Sequence, residues 1–403
     1  MYTTDPTEAR IHDASNILVA PPIPPLRDFF GSVITPEDLA SSSPDLAQKT
    51  VYLCGDISRI NARQLHAPDR VFVIRDLSHN HAGTPWPLVD LGQVPIRVHG
   101  AGVYYRRFFE RDADHFHRIR AEHAFQSLTE STKPGSAHRS GIYLTPVTRT
   151  GDDELHFRLL RCSTNLSGPT ENFGPTDTDI VDALNREAAT VFRDHAPLNH
   201  VLAQTYHNTH ATPERKQSKA KISSHADKTK DMPANGIMAF CTFYDRLDGL
   251  QPLAEDPFDY GTKNSSALTR LHFRLKDSAA ELHGDTLPSH FSLTLYPGSV
   301  FFVPLSTNRL YTHEIRPSAL DAELLPTRLG YVVRCSNTEA VHKDGRTFLK
   351  SAGDLVELEP PTQAGMDALR GLYAEENRSS SFVDYGNRFL FSMNTGDYLA
   401  PRA

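Results

Sequence analysis

The stretch HFSLTLYPGSVFFVPLSTNRLYTHEIRP, residues 290–317, reads as three short strands at 290–296, 299–304 and 311–316. Pro297-Gly298 supplies the turn signal between the first two. The same texture continues on both sides of it. Strand-like segments at 201–207, 219–225, 236–243 and 269–276 precede it, and one at 328–335 follows. Ahead of these, the pattern predicts a helix from about Asp112 to Leu128 with acidic residues in its first turn, and another near Asp177–Arg193. Between the two helices lie a turn-rich loop from Lys133 to Ser140 and strand-like segments at Gly141–Val147 and Leu155–Leu160. Many strands at short spacing after two helices predict an α+β chain: a double-sheet barrel or jelly roll buttressed by helices.

Within this run, His225-Ala226-Asp227 stands out. On a strand, residues i and i+2 share a face, so an imidazole and a carboxylate would converge on one point. Non-haem Fe(II) is held by two histidines and one carboxylate on one side, with open positions opposite. An HxD pair alone is weak, because a chain with 20 histidines contains several by chance. A further histidine, His313, ends a strand 86 residues beyond Asp227, and Arg328-Leu329-Gly330-Tyr331-Val332-Val333-Arg334 follows it. The period of two places Arg328, Gly330, Val332 and Arg334 on one face. Two guanidiniums on an otherwise apolar face are costly unless an anion meets them. A dicarboxylate suits, since the guanidinium fork grips carboxylate bidentately.

Taken in order, HxD, a strand histidine in an R-L-x-x-H-x-I-x-P setting and R-x5-R, the pattern resembles the AlkB-type Fe(II)/2-oxoglutarate dioxygenases. Leu202-Ala203-Gln204-Thr205-Tyr206 resembles the family strand whose Asn-x-Tyr end touches 2-oxoglutarate. The segments around Leu271–Lys276 and Leu295–Ser299 resemble two further family strands. Phe108-Phe109, with Arg139, Gly141 and Tyr143, resembles the opening segment. The likeness spans roughly residues 103–345. It implies a double-stranded β-helix, with His225, Asp227 and His313 as metal ligands. It also implies Arg328, Arg334, Tyr206 and Gln204 around 2-oxoglutarate, with Fe(II), 2-oxoglutarate and O2 as cofactors. Gln204 departs from the family's Asn, and Gly330 stands where an Asn is common. Three loops, 207–220, 245–268 and 277–290, are enlarged.

Two substrate classes stay open. One is a modified base in nucleic acid, taken single-stranded or flipped out and oxidatively dealkylated. The other is a small molecule or a protein side chain, hydroxylated at carbon. The run from Arg215 to Lys230, with Lys216, Lys219 and Lys221, would form a basic rim beside the metal. Gln126 and Arg139 would decide substrate fit. Charge speaks against a protein that coats DNA. The net charge is −7: residues 1–100 carry 8 Lys/Arg against 11 Asp/Glu, 351–403 carry 4 against 8, and the middle balances.

Other residues read more plainly. His115 and His117 lie on a predicted helix, where i and i+2 diverge. His207 and His210 lack a nearby third ligand. Tyr104, Tyr105, Phe108 and Phe109 read as core, Cys335 as packing, and Trp86 as an anchor for the amino-terminal region. Hydrophobic residues at 39% suffice for a sizeable core. Cys54, Cys162, Cys241 and Cys335 form no CxxC pair, which fits a reducing compartment, cytoplasmic or nuclear. The polar start has no signal-peptide pattern, and no apolar run reaches membrane length. The expected organisation has three parts. Residues 1–102 are an amino-terminal arm, with PPIPP at 21–25, and a small accessory region with strands at Val51–Leu53 and Val71–Ile74 and a loop-like 76–93. Residues 103–350 are the dioxygenase domain. Residues 351–403 are a helix at about 363–377 and a polar tail.

Overall fold

A computed structural model describes residues 8–21, 26, 28–42, 46, 48–61, 65, 70–129, 136–151, 153–161, 166–351, 353–386 and 388–403. Two antiparallel sheets dominate it. The larger has eight strands in the order Ile96–Val98, Gly102–Tyr105, Ser299–Pro304, Ile237–Asp245, Thr327–Arg334, His200–Tyr206, Ser136–Leu144 and Gln126–Thr129. The smaller has four, ordered Ile222–His225, Tyr311–Arg316, Arg270–Leu275 and His290–Thr294. Their sequences are rich in Val, Ile, Phe and Tyr, which suit a pleated surface packed on at least one side.

The large sheet is covered on both faces. Tyr331 and Val333 on one strand, with Ala239 and Cys241 on the next, pack with Ile180, Leu184, Ala188 and Val191 of the helix Pro175–Val191. The alternate residues face the small sheet, where Met238, Phe240, Phe301 and Val303 meet Leu271, Phe273, Tyr311 and Ile315. Phe273 stacks on Phe291 at 4.7 Å and sets its edge against Phe301 at 5.7 Å. Each such buried side chain contributes about 1.5–3 kcal/mol. The two sheets thus form a β-sandwich with helices outside the large sheet. Tyr104, Tyr105 and Phe109 are core, as their sequence context predicts.

Several elements differ from expectation. The first helix covers only His115–Glu122; Asp114 starts it in the left-handed region at φ 45°. The chain extends again after His123 and enters the strand Gln126–Thr129, where a longer helix is predicted. Ser136–Ser140, expected in a loop, belong to a strand; 133–135 lie outside the described residues. The amino-terminal region is not an arm. Ser32–Ile34, Asn16–Val19, Thr50–Asp56, Arg70–His79 and Leu88–Val89 form a five-stranded parallel sheet. Val19, Leu39, Leu53 and Val73 give it a core of its own, against which Trp86 packs. Two of its strands contain the predicted Val51–Leu53 and Val71–Ile74; the other three, of two to four residues, are too short for the sequence pattern to show. Most of PPIPP, residues 22–25, lies outside the described residues, as does Cys162.

The carboxyl-terminal part is also more ordered than a polar tail. Thr148–Thr150, Glu154–Leu159, Thr338–Lys343, Arg346–Ser351 and Asp354–Glu357 make a third antiparallel sheet. The helix Gln363–Arg378 comes next, and Val383, Tyr385, Phe389 and Phe391 bury themselves with its Leu369 and Tyr373. Among the described residues no helix is long and apolar enough to cross a membrane.

One buried ion pair joins this segment to the sandwich. The Arg161 guanidinium donates to Asp231 at 2.6 Å and to the Phe389 carbonyl at 3.0 Å. Burial pushes the Asp231 carboxyl up, but Arg161 and Lys230 outweigh it and hold the group well below the usual carboxylate range. A folded pKa below the unfolded one adds stability at neutral pH, and that stability is lost as acid protonates the carboxyl. Asp231→Asn is therefore expected to lower unfolding free energy by roughly 3–5 kcal/mol near pH 7. In denaturant titrations the gap from wild type should narrow as pH falls; an equal gap at all pH values would contradict this account.

Candidate active site

The inner face of the large sheet is organised in rows. Register places Arg139 beside Tyr206 and Tyr206 beside Arg328. The next row toward the metal ligands holds Gly141, Gln204, Gly330 and Thr242. A third holds Tyr143, Leu202, Val332 and Phe240, and a fourth His200, Arg334 and Met238. Arg328, Gly330, Val332 and Arg334 all line one cavity, as the period of two predicts. Its volume is about 430 Å³, and its opposite wall carries Ile222, His225, Leu271, His313 and Ile315.

His225 ends its strand directly opposite His313, with ring centroids 4.5 Å apart. Asp227 lies beyond the strand end, so backbone alternation does not bring it to the histidines. Side chains do. Asn308 accepts from the Asp227 N–H at 2.8 Å and donates to the Asp227 carbonyl at 2.9 Å. The Asn377 side-chain oxygen accepts from the Ala226 N–H at 2.7 Å. One carboxylate oxygen of Asp227 then stands 3.5 Å from His225 Nε2 and 3.9 Å from His313 Nε2. The other accepts from Arg334 Nε at 3.0 Å and Nη2 at 2.7 Å.

Electrostatics prepare these groups to bind a cation. Burial raises the Asp227 carboxyl, but Arg334 and the two imidazoles prevail and hold it well below its ordinary range. Burial, reinforced by His225, pushes His313 down to about 3, so its ring is neutral at physiological pH. Metal binding requires an ionised carboxylate and neutral imidazole, and Asp227 and His313 are held in those states. The ligand atoms lie within 4.8 Å of one another beside an open cavity. Two imidazoles and one carboxylate with free positions suit Fe(II).

Arg328 is the second anchor of the cavity. It is only 4% exposed, and its side chain makes no hydrogen bond or ion pair with any described residue. Its guanidinium carbon sits 3.8 Å above the Tyr206 ring, and the Tyr206 hydroxyl donates to Gln204 at 3.3 Å. Gly330 makes room for it: a Cβ there would approach Arg328 Nη1 to 2.8 Å. Arg334 departs from expectation. Its Nε and Nη2 both donate to Asp227, so it orients a candidate metal ligand while lining the same cavity as Arg328.

The predicted substrate residues scatter. Arg139 lines the cavity, but Gln126 does not; its side-chain oxygen accepts from Ser167 N at 2.9 Å and Gly168 N at 2.6 Å. Lys219 donates to the carbonyls of Ser318 at 2.8 Å and Leu320 at 3.1 Å. Lys216 and Lys221 are exposed and off the cavity wall. The basic run is thus no continuous rim, because its members turn to different partners. His115 stacks on Phe243, His117 lies between Asp114 and Asp245, and His207 bonds Ser140. Cys335 packs against Ala196 and Ile237, on the side away from the cavity. The described residues hold one more cluster of donor type, Glu122, His123 and Asp177, behind the large sheet. There His123 bridges Asp177 at 2.6 Å and Glu171 at 3.1 Å, so its nitrogens are spent on structure.

Sequence reasoning missed the carboxyl-terminal contribution. Arg370, Tyr373 and Met393 complete the cavity wall. Glu376 accepts from the Thr229 N–H at 3.1 Å, and the Lys276 ammonium joins the Asn308 and Glu376 carbonyls at 3.1 and 2.7 Å. The signal was present: Leu369, Tyr373, Glu376 and Asn377 fall on one helical stripe, so a carboxylate and an amide interrupt an apolar face.

No family model matches the chain, and no curated protein matches it. Solved structures give weak likenesses. A bsmA homolog from Methylobium petroleophilum PM1 is 15% identical, covering 56% of this chain and 82% of that one, at TM-score 0.29. The non-heme alpha ketoglutarate dependent epimerase SnoN from nogalamycin biosynthesis is 10% identical, covering 63% and 87%, at 0.28. The Fe(II)/(alpha)ketoglutarate-dependent dioxygenase TqaL is 13% identical, covering 63% and 81%, at 0.25. Likenesses of this strength leave the function to the chain's own geometry.

Because Asn377 holds the backbone between two of the candidate metal ligands, Asn377→Ala should weaken divalent-metal binding about 10-fold, the low end of effects from partners of a ligand shell. Calorimetric titration with Co(II), beside an unchanged far-UV spectrum, would check it; wild-type affinity would mean that the loop keeps its shape unaided.

Proposed function

We propose that the protein is an Fe(II)- and 2-oxoglutarate-dependent oxygenase, with the sandwich as its double-stranded β-helix and residues 103–350 as its catalytic domain. The observation that carries this reading is Arg328: a buried guanidinium without an anionic partner among the described residues, lining the same cavity as His225, Asp227 and His313. A buried unpaired charge is costly, and a dicarboxylate cosubstrate supplies its counter-charge.

In this reading His225, Asp227 and His313 hold the metal, and Arg328 grips the far carboxylate of 2-oxoglutarate. Tyr206 supports the guanidinium from below, and Gln204 offers an amide beside it. Bound together, Fe(II), 2-oxoglutarate and O2 supply an oxidant strong enough to hydroxylate a C–H bond. The chain's part is placement. Arg334 keeps Asp227 ionised and turned toward the histidines, while Phe240, Leu271 and Val332 exclude water from the reacting centre. Residues 351–403 finish the wall.

For the substrate, the geometry supports hydroxylation of a small molecule over oxidative dealkylation of a nucleic-acid base. The lysines that would hold phosphates are either clasped by carbonyls or stand off the cavity. The apolar lining and modest volume suit a compact molecule.

Purified protein should consume 2-oxoglutarate only with Fe(II), and His225→Ala or Asp227→Ala should abolish that turnover. Arg328→Ala should weaken 2-oxoglutarate binding by roughly 2–5 kcal/mol with metal binding retained. An unchanged 2-oxoglutarate titration in that variant would sink the assignment.

A further inference from the structure

The charges around the cavity do not balance. Five cationic side chains line it, Arg139, Lys228, Arg328, Arg334 and Arg370, against a single carboxylate, Asp227. Arg334 already neutralises Asp227. On the reading above, the charge of a divalent metal and that of a dicarboxylate cancel, and Arg328 has its ligand. Lys228 is turned to the carbonyls of Ala226 and Tyr373, at 3.4 Å each. Two arginines remain.

Arg139 is half-buried, and its side chain makes no hydrogen bond or ion pair with any described residue. It sits in the same row as Tyr206 and Arg328, one strand further toward the sheet's edge. Arg370 reaches the cavity from the carboxyl-terminal helix. Among the described residues its side chain pairs with Asp367, three residues back at 2.9 Å, with both side chains more than half exposed at 54% and 59%. An exposed pair of this kind contributes little, so an incoming anion can draw Arg370 away without a large penalty. Leu202, Leu295, Ile222 and Met393 line the remaining space and offer nothing polar to a ligand.

We propose that Arg139 and Arg370 form a second anion subsite that anchors a carboxylate of the substrate, whose apolar body lies between this subsite and the metal. The proposal rests on the oxygenase reading for what happens at the metal, but not for binding itself. It makes the substrate class a small, largely apolar carboxylic acid. Arginine favours this chemistry because its planar fork meets a carboxylate with two parallel hydrogen bonds. A nucleic-acid backbone is disfavoured, since Lys216 and Lys221 stand off the cavity wall and Lys219 is held by carbonyls, so no continuous basic track leads to it.

The test uses the full chain, saturated with Fe(II) and 2-oxoglutarate under anaerobic conditions so that Arg328 is occupied. A library of matched probes is titrated, each an aryl or alkyl carboxylic acid beside its primary amide and its alcohol's phosphate monoester. The acids should bind about 10-fold tighter than their amides, as expected for charge-assisted hydrogen bonds. Arg139→Gln and Arg370→Gln should each remove most of that preference. Equal binding of acids and amides, no binding by any probe, or a preference that survives both substitutions would overturn the subsite. A preference for the phosphate esters would overturn the carboxylate assignment. If 2-oxoglutarate fails to bind while the acid preference still depends on Arg139 and Arg370, the oxygenase reading falls and the subsite stands. If 2-oxoglutarate binds and the acids show no preference, the reverse holds.

Discussion

Asp227 is a buried carboxylate that faces a guanidinium on one side and two imidazoles on the other, and much of the molecule serves to keep it there. Left alone, burial would neutralise it, and a neutral acid is no metal ligand. Arg334 prevents this, but only because its strand sits in the middle of the large sheet, between the strands Ile237–Asp245 and His200–Tyr206. The position of that strand is held in turn from the far side, where Tyr331 donates a hydrogen bond to Asp177 of the covering helix. The ligand geometry therefore depends on packing two layers away.

The short loop that carries Asp227 has little structure of its own. It continues from the end of an edge strand and borrows its hydrogen-bond partners from elsewhere: Asn308 from the short helix Leu305–Leu310, Asn377 and Glu376 from the carboxyl-terminal helix. Lys276 ties these two suppliers together through their backbone carbonyls, and burial pushes its ammonium down to about 8. That helix and the segment after it are held by Arg161 and Asp231 and by their own aromatic cluster. A segment that composition marks as a tail supports the candidate metal site.

Glycine placement completes the cavity. Gly141 and Gly330 flank Gln204 in one row, and a side chain at Gly330 would displace the Arg328 guanidinium. Where an amide could have stood, the chain leaves space and keeps a stacked arginine. The consequence is a guanidinium stacked on a phenol ring, with room beside it for the oxygens of the proposed dicarboxylate.

The sequence by itself determined the strand run, the alternation that aims Arg328, Gly330, Val332 and Arg334 at one space, and the residue types of the metal triad. These come from local rules: a period of two, turn residues, and the donor chemistry of imidazole and carboxylate. It disclosed two strands of the amino-terminal parallel sheet but not the sheet, because the other three are only two to four residues long and carry too short a pattern to register. Nor did it separate the roles of the two arginines. Both point the same way, and only the distance to Asp227 shows that one is already paired. The fate of the lysines was likewise invisible: a charge run looks the same whether its members face solvent, carbonyls 100 residues away or a ligand. The tertiary structure alone decided which charges are already satisfied, because partners such as Asn377 for Ala226 and Ser318 for Lys219 are distant in sequence and meet only once the sheets are packed.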